Sequence, residues 1–312
     1  MERMLISGGN GFLGTFLAEK ALENGMQVTI VDDFSTSKDV NVPNEVELTR
    51  KRIEDYQADK KFDFVVHLAA RPSPEDYTTN PVHTISSNSF GTKVMLDIAK
   101  SSNGIFMYTS SSEVYGEASI IPTPETYYGN VNPNGIRSCY DEGKRFSEAL
   151  SIAYQREFSL DVRIQRPFNV YGPRIREDGF YGRVIPRFIT QALENSPITI
   201  HGDGSQTRSF LFVKDWLDAT WKFLTISDPV ERVLNIGSED QITILDLAKQ
   251  ICSFTESDSI LTYLPGREDD PTRRAAQNSL AKKVLNWTPK YQLKEGLNET
   301  INWFKKRRVE NQ

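Results

Sequence analysis

The chain has 312 residues, of which 38% are hydrophobic and 25% are charged, and its net charge is -5. This length can bury one large core or two modest ones, and the composition is that of an ordinary globular protein. The small negative charge argues against nucleic-acid binding, the 2 cysteines and 3 histidines lack metal-ligand spacing, and no apolar run is long enough to span a membrane.

The first half of the chain alternates short apolar runs with helical patterns, which indicates βαβ units and a parallel sheet. The runs are rich in Val, Ile, Leu and Phe, as strands covered on both faces should be. The predicted strands are residues 4–7, 27–32, 46–49, 63–69, 104–111 and 161–168, and the predicted helices are residues 12–24, 82–100 and 140–158. Because the first strand leaves no room for a signal peptide, we expect a cytoplasmic protein.

In the third helix, Phe146, Leu150, Ala153 and Phe158 recur at helical spacings and predict one buried stripe. After residue 173 the alternation stops. The pattern then predicts a loop at 174–182, a helix at 184–195, strands at 198–201 and 233–237, and a helix at 244–254.

We therefore expect an α/β protein with a Rossmann-type doubly wound parallel sheet and a smaller, partly discontinuous C-terminal domain. The expected first domain is residues 1–170 with a returning segment near 210–237. The expected second domain is residues 171–209 and 238–312.

A glycine-rich turn joins the first strand to the first helix. Gly8, Gly11 and Gly14 let the backbone approach a pyrophosphate, and the helix N-terminus offers N–H groups and the positive end of its dipole. Asp32 ends the second strand about 20 residues further on, where a carboxylate accepts hydrogen bonds from the adenine ribose and repels a 2′-phosphate. A glycine turn can be purely structural, but this context favours NAD over NADP, with Asp33 as the adjacent ribose candidate.

Tyr140 and Lys144 lie four residues apart at the start of a predicted helix, so their side chains share one face. A free tyrosine has a pKa of about 10 and is a poor base at neutral pH. A neighbouring ammonium favours the phenolate, which can then take a proton from a substrate hydroxyl. The spacing alone also fits a surface pair, and it gains weight from the dinucleotide turn upstream.

Residues 108–116 (Tyr-Thr-Ser-Ser-Ser-Glu-Val-Tyr-Gly) lie at the carboxyl end of the fifth predicted strand, where open α/β sheets place their ligands. The serines can hydrogen-bond a sugar hydroxyl, although one or two of them can equally cap the following turn. Glu113 is the most informative residue, because it adds a second acid/base group that simple alcohol oxidation or epimerisation does not need.

On these motifs the chain resembles the extended short-chain dehydrogenases/reductases that act on nucleotide sugars as epimerases, dehydratases and decarboxylases. It is most similar to the UDP-glucuronate decarboxylases (UDP-xylose synthases). Besides the glycine turn, residues 112–116 and the Tyr/Lys pair, the resemblance rests on residues 166–173 (Arg-Pro-Phe-Asn-Val-Tyr-Gly-Pro), 202–208 (Gly-Asp-Gly-Ser-Gln-Thr-Arg) and 287–289 (Trp-Thr-Pro). The segments most specific for the decarboxylases are residues 135–145, 67–74 and 265–271.

The resemblance implies roles for individual residues. It implies that Tyr140 and Lys144 are the catalytic pair, with Glu113, Ser112 and Ser111 at the sugar ring. The residues implied near NAD are Gly8, Gly11, Phe12, Leu13, Gly14, Asp32, Asp33, Leu68, Ala69, Ala70, Asn88, Thr109 and Phe168, together with the catalytic pair. The residues implied to hold the nucleotide diphosphate are Asn169, Val184, Thr199, His201, Gln206, Arg208 and Arg274. Relatives pair through helices like 82–100 and 140–158, so a homodimer is expected.

The chain also departs from the decarboxylase pattern. Ser111 stands where threonine is more common, which retains the hydroxyl. Gln277 stands where relatives commonly have an acidic residue, so no ribose contact is assigned there. The residues around Glu54 and Asp55 do not reproduce the usual acidic adenine contact, and that position is unassigned.

For a UDP-glucuronate decarboxylase, the resemblance implies that C4 is oxidised by NAD, that the resulting β-keto acid loses carbon dioxide, and that the hydride returns to give UDP-xylose. A 4,6-dehydratase acting on dTDP-glucose or UDP-N-acetylglucosamine would share the first oxidation, but it uses an acid immediately before the glutamate, where Ser112 stands. A 4-epimerase has no need for Glu113, and a non-catalytic NAD-binding sensor can lose Tyr140 and Lys144, which are both present.

Overall fold

The computed structural model describes residues 1–37, 39–177, 183–267 and 270–310. The strands are β1 (Arg3–Ser7), β2 (Gln27–Asp32), β3 (Glu47–Arg50), β4 (Phe64–His67), β5 (Ile105–Thr109), β6 (Val162–Pro167), β7 (Val170–Tyr171), β8 (Ile198–His201), β9 (Thr207–Ser209), β10 (Leu211–Phe212), β11 (Val233–Ile236), β12 (Gln241–Thr243), β13 (Leu261–Leu264) and β14 (Arg273–Arg274). The helices are α1 (Phe12–Glu23), α2 (Pro74–Thr79), α3 (Pro81–Ser102), α4 (Ser138–Phe158), α5 (Val184–Leu193), α6 (Val213–Thr225), α7 (Ile244–Thr255), α8 (Ser279–Leu285) and α9 (Leu293–Glu310).

A seven-stranded parallel sheet forms the centre of the molecule, in the order β11-β6-β5-β4-β1-β2-β3. β1 lies between β2 and β4, so the chain leaves the middle of the sheet in opposite directions at this point. A crevice opens at the carboxyl ends of the strands at such a switch point, and open α/β sheets bind their ligands there.

Alternate residues of the sheet face two hydrophobic cores, as the period of two of a strand requires. Leu5 of β1 and Val65 of β4 point to the side that α3 and α4 cover. Met4 and Ile6 of β1 point to the opposite side, where α1 and α6 pack. That second core continues into α5, α7 and α9, so the C-terminal helices are packed on the same core as the sheet.

The expected Rossmann-type fold is confirmed, and the predicted strands and helices agree with the structure to within two residues at each end. The patterns did not predict α2, α6, α8, β7 or the short strands of the C-terminal part. Residues 174–177 of the predicted loop have no regular structure, and residues 178–182 lie outside the described residues. No helix in the described part of the chain is both long and apolar enough to cross a bilayer.

The prediction of a buried apolar stripe on α4 is wrong. Phe146 is 50% exposed and Phe158 is 39% exposed. The buried face instead carries, at the same helical spacing, Tyr140, Lys144, Ser147, Ser151 and Tyr154. Periodicity identifies the faces of a helix but not which one is covered, and here the hydroxyl face is satisfied by α3, where Thr92 Oγ1 donates to Ser147 Oγ over 2.9 Å.

Candidate active site

A cavity of about 1030 Å³ lies at the carboxyl ends of the central strands. Its wall combines the segments that follow β1, β4 and β5 with residues from the C-terminal part. Of the predicted residues it includes Gly8, Gly11, Phe12, Leu13, Gly14, Asp32, Asp33, Leu68, Ala69, Ala70, Thr109, Ser111, Ser112, Glu113, Tyr140, Lys144, Asn169, Val184, His201, Gln206, Arg208 and Arg274.

The glycine turn requires glycine at two positions for steric reasons. Gly8 has a φ of +68°, and a Cβ there would lie 2.7 Å from the backbone of Ala69. A Cβ on Gly14 would lie 2.4 Å from the Cα of Gly9. The turn is held to the neighbouring strand because the Gly8 N–H donates to the Val31 carbonyl over 2.8 Å.

The two acidic residues at the end of β2, Asp32 and Asp33, have different partners. Asp32 accepts hydrogen bonds from the N–H groups of Asn10 at 3.0 Å and Phe34 at 2.8 Å, so it is fixed to the glycine turn. Burial raises the pKa of this carboxyl, against the effect of the two donors. Asp33 accepts from the N–H of Ser35, and its Oδ2 lies 3.1 Å from Nε2 of His83 at the start of α3.

The tyrosine and lysine of α4 are almost completely buried. Lys144 donates to the carbonyl of Thr109 over 2.8 Å, which fixes it against the end of β5. Burial lowers the pKa of Lys144 to about 7, although the charge of Glu148 opposes this. Burial also raises the pKa of Tyr140, although a hydrogen bond with Ser111 lowers it.

These directions are opposite to the predicted stabilisation of the phenolate by the ammonium. The reason is that burial disfavours both charged forms, the phenolate of Tyr140 and the ammonium of Lys144.

Tyr140 also packs against a residue that the sequence did not identify. The ring of Tyr77, on α2, is stacked on the ring of Tyr140 with centroids 5.1 Å apart and an interplanar angle of 24°. The guanidinium of Arg137, which pairs with Glu113, lies 5.5 Å from the centroid of the Tyr77 ring. Tyr77 and Arg137 both line the cavity.

Glu113 forms ion pairs with Arg137 at the start of α4 and with Arg274 of β14. Burial alone would raise the pKa of this carboxyl, but the two guanidinium groups lower it to about 2. Glu113 is therefore ionised at neutral pH. Only its strand-end position could be predicted, since its partners come from distant segments.

Further carboxyl groups surround these arginines. Asp141 lies in the first turn of α4 with its Oδ2 3.9 Å from Nε of Arg137. Burial and the charge of Glu113 raise the pKa of Asp141 to about 7. Asp270 pairs with Arg208 at 3.0 Å and lies 3.8 Å from Arg137. Guanidinium and carboxyl groups thus form one connected network.

Three predicted residues do not line the cavity. Asn88 is fully buried on α3, where its amide donates to the carbonyl of Thr84 over 2.9 Å. Phe168 is fully buried. The Thr199 hydroxyl accepts a hydrogen bond from the Gln191 amide over 3.0 Å.

Gln277 and Glu54, the two positions without an assigned role, lie differently relative to the cavity. Gln277 is exposed and lies away from the cavity. Glu54, which the sequence left unassigned, lines the cavity beside Ile53 and pairs with Arg52 at 2.9 Å. Its position in a short 3-10 turn after β3 carried no pattern that would have identified it.

The chain matches the model of the NAD dependent epimerase/dehydratase family over residues 4–237. It is 39% identical over 317 residues to UDP-glucuronic acid decarboxylase 1 of Danio rerio, and the alignment covers 100% of this chain and 74% of that protein. It is 40% identical over 313 residues to UDP-glucuronic acid decarboxylase 4 of Arabidopsis thaliana, with 98% and 69% covered.

Among solved structures, the fold is similar to a mutant UDP-glucuronic acid 4-epimerase from Bacillus cereus in complex with UDP-4-deoxy-4-fluoro-glucuronic acid and NAD. The TM-score is 0.87, the identity is 26%, and the alignment covers 98% of this chain and 99% of that one.

Proposed function

The chain belongs to the NAD-dependent epimerase/dehydratase family, and from that premise we propose that it converts UDP-glucuronate to UDP-xylose through a transient 4-keto sugar. The observation that carries this proposal is the ionised Glu113, held between Arg137 and Arg274 in the same cavity as the Tyr140 and Lys144 pair. The names of the relatives in Danio rerio and Arabidopsis thaliana support the same reaction.

The residues present fit an NAD molecule. The glycine turn leaves no room for a Cβ at Gly14, and Asp32 is fixed beside that turn in the cavity wall. We propose that these residues, with Leu68 and Ala69 after β4, hold the cofactor. NAD supplies a hydride acceptor for the sugar C4 and later a hydride donor.

Tyr140 takes the proton of the sugar 4-hydroxyl in its phenolate form, which burial disfavours and which its neighbours must therefore stabilise. The hydrogen bond from Ser111 fixes the phenolic oxygen and favours its loss of a proton. When Lys144 is protonated, its positive charge further favours the phenolate. With a pKa of about 7, Lys144 changes its charge near neutral pH, so the basicity of this pair varies over the same range.

Glu113 and Ser112 act at C5. A 4-ketone makes the C5 carboxylate a β-keto acid, which loses carbon dioxide because the ketone accepts the electrons. Loss of carbon dioxide leaves an enolate, and its C5 takes up one proton that comes from solvent. Because Glu113 is ionised, it can pass this proton on only after it has taken it up. The buried hydroxyl of Ser112 stands beside it as a donor to the enolate oxygen.

The C-terminal side of the cavity is suited to a diphosphate. Arg187, Arg208, Arg267 and Arg274 all line it. Burial, and then the charge of Arg267, lowers the pKa of Arg187 to about 9 in spite of Asp270. One guanidinium group can donate two parallel hydrogen bonds to the oxygens of a phosphate. The negative charge of the diphosphate would also relieve the repulsion between the arginines.

We also propose a homodimer that pairs through α3 and α4. The outer faces of these helices expose Phe90 and Phe146, which are 65% and 50% accessible.

Residues 1–170 with the segment 210–237 are proposed to bind NAD, and residues 171–209 and 238–312 to bind the nucleotide sugar. A cytoplasmic location stays a prediction.

The test is proton NMR of the purified protein incubated with UDP-glucuronate, with and without added NAD. Appearance of UDP-xylose is the expected result. A 4-keto product that accumulates would mean that the hydride is not returned. The 4-epimer of UDP-glucuronate would indicate an epimerase, and an unchanged spectrum would redirect the assay to dTDP-glucose and UDP-N-acetylglucosamine as dehydratase substrates.

A further inference from the structure

Residues 172–177, which follow β7, form a short segment that we call the strap. The strap is tied to α2 by a buried carboxylate: Asp76, only 4% exposed, pairs through Oδ2 with Arg176 at 3.1 Å. Through Oδ1, Asp76 also accepts from Nη2 and Nε of Arg71, at 3.1 and 3.2 Å. Arg71 and Arg176 both line the cavity, whereas Asp76 stands behind them. One carboxylate thus orients two cations in the cavity wall.

A second ion pair ties the strap to α1. Nη1 of Arg174 lies 2.7 Å from Oε1 of Glu19, and the guanidinium lies 4.8 Å from the centroid of the Phe16 ring. Arg174 has a φ of +66°, a conformation that costs free energy for any residue with a Cβ. Such a conformation persists only when surrounding contacts impose it. The two ion pairs of the strap are contacts of this kind.

The middle of the strap is also anchored. Ile175 is 1% exposed and packs in the core that α1 and α6 share. It lines the cavity together with Gly11 and Gly14 of the glycine turn. The strap is therefore part of the wall of the space in which the dinucleotide is expected.

The two tethers lie on either side of the switch point of the sheet. Glu19 belongs to α1, the helix that follows β1, and Asp76 belongs to α2, the helix that follows β4. β1 and β4 are adjacent strands. A segment tied to both helices therefore bridges the crevice in which open α/β sheets bind their ligands.

We propose that the strap retains NAD throughout the reaction cycle and that Asp76 is the positioning residue that keeps it closed. The proposed reaction oxidises and then reduces the same carbon, so a cofactor that escaped between the two steps would leave a keto sugar behind. The inference rests on the NAD cofactor of the family and is independent of which sugar is the substrate.

The test measures how fast NADH leaves the full-length protein in the absence of sugar. Protein loaded with NADH is mixed with a large excess of NAD, and the loss of bound NADH fluorescence is followed. Asp76→Asn and Arg176→Gln are expected to raise the dissociation rate about tenfold, because removing one partner leaves the other charge unpaired and destabilises the closed position of the strap. Glu19→Gln, which breaks a half-exposed pair, is expected to raise it about twofold.

Two further variants separate retention from general loosening. Asp76→Glu keeps the charge and should restore slow release. Glu299→Gln breaks the Lys214–Glu299 ion pair, which lies outside the cavity, and should release NADH at the wild-type rate. If Asp76→Asn does not fold, Arg176→Gln leaves the Arg71–Asp76 pair intact and still tests the strap.

Wild-type release in both Asp76→Asn and Arg176→Gln would overturn the proposal, and so would equally fast release in Glu299→Gln. Because the measurement involves no sugar, failure of the decarboxylase assignment would leave its result unaffected.

Discussion

The two ends of the cavity are built from different interactions. The cofactor end, which consists of residues 8–14 and Asp32, is held by backbone groups: the Gly8 N–H donates to Val31 and the Asn10 N–H donates to Asp32. The sugar end, which consists of Glu113, Arg137 and Arg274, is held by ion pairs between side chains from three separate segments.

This difference determines what each end tolerates. A wall made of tightly turned backbone depends on shape, so added volume is harmful there. A wall made of buried charges depends on their balance, because a buried charge that loses its partner is costly. A substitution that conserves shape but removes charge should therefore impair the sugar end and spare the cofactor end. A substitution that adds one methyl group should impair the cofactor end and spare the sugar end.

The largest expected effect comes from Glu113→Gln, which keeps the shape of the side chain and removes its charge. We expect turnover of UDP-glucuronate to fall by about 10²–10⁴-fold, the range of an acid/base group, while NADH binds with wild-type affinity. Steady-state kinetics and NADH fluorescence titration measure the two effects.

Glu125→Gln is the matched control for that variant. Glu125 is a partly buried carboxylate that accepts from the N–H of Asn235 outside the cavity, and its loss should leave turnover near the wild-type value. Loss of NADH affinity in Glu113→Gln would contradict the separation of the two ends.

The next largest effect is expected from Gly14→Ala at the cofactor end. The added Cβ would lie 2.4 Å from the Cα of Gly9, so the turn must shift. Overpacking of a rigid contact costs about 1–3 kcal/mol, and NADH affinity should fall by about tenfold to a hundredfold. Gly266→Ala, where a Cβ meets open space, is the control. Equal NADH affinity in the two variants would show that the turn is not rigid.

The same difference explains how much could be predicted from the sequence. Gly8, Gly14 and Asp32 lie within one βαβ unit, so their spacing along the chain reflects their arrangement in space. Glu113 and Arg274 are 161 positions apart, and no local pattern indicates that they form an ion pair. The resemblance placed Arg274 on the nucleotide diphosphate, whereas in the structure it also binds Glu113.

The error on α4 has the same origin. Apolar periodicity assigned Phe146 and Phe158 to the core, but a buried polar face is possible when tertiary contacts satisfy it, as Thr92 does for Ser147. Likewise, Tyr77 and Asp76 lie on the six-residue helix α2, which is too short to show a periodic pattern. Local sequence therefore predicts elements and backbone-built turns better than networks of side chains.

A smaller effect is expected from pH, and it concerns the two carboxyl groups beside Arg137. The pKa of Asp141 is raised from 3.8 to about 7, so its proton stabilises the folded state below pH 3.8 and that contribution is lost as the pH rises towards 7. The pKa of Glu113 is lowered from 4.5 to about 2, so its contribution is present above pH 4.5 and is lost as the pH falls towards 2.

Of these two carboxyl groups, only Asp141 should therefore change the stability between pH 4.5 and 7.5. Wild type should lose several °C of melting temperature relative to Asp141→Asn across this range, because each pH unit between the two pKa values of Asp141 removes up to about 1.4 kcal/mol of stability. Thermal melts at half-unit pH steps measure the gap. A gap that stays constant, or one that grows in favour of wild type, would mean that Asp141 is ionised throughout.

The smallest effect is expected at Ser111, which lies beside Glu113 at the sugar end. Its hydroxyl accepts from the Glu113 N–H over 3.2 Å, and a hydrogen bond from Ser111 lowers the pKa of Tyr140. Ser111→Thr keeps the hydroxyl and should leave turnover within about twofold of wild type, since one methyl group at a half-buried position adds little strain.

Ser111→Ala removes one hydrogen bond, which is worth about 0.5–1.5 kcal/mol, and should lower turnover by up to about tenfold. It should also move the pH–rate profile to higher pH, because Tyr140 then gives up its proton less readily. If threonine is as harmful as alanine, the space around Ser111 matters more than its hydroxyl, and this part of the sugar end depends on shape in the way that the glycine turn does.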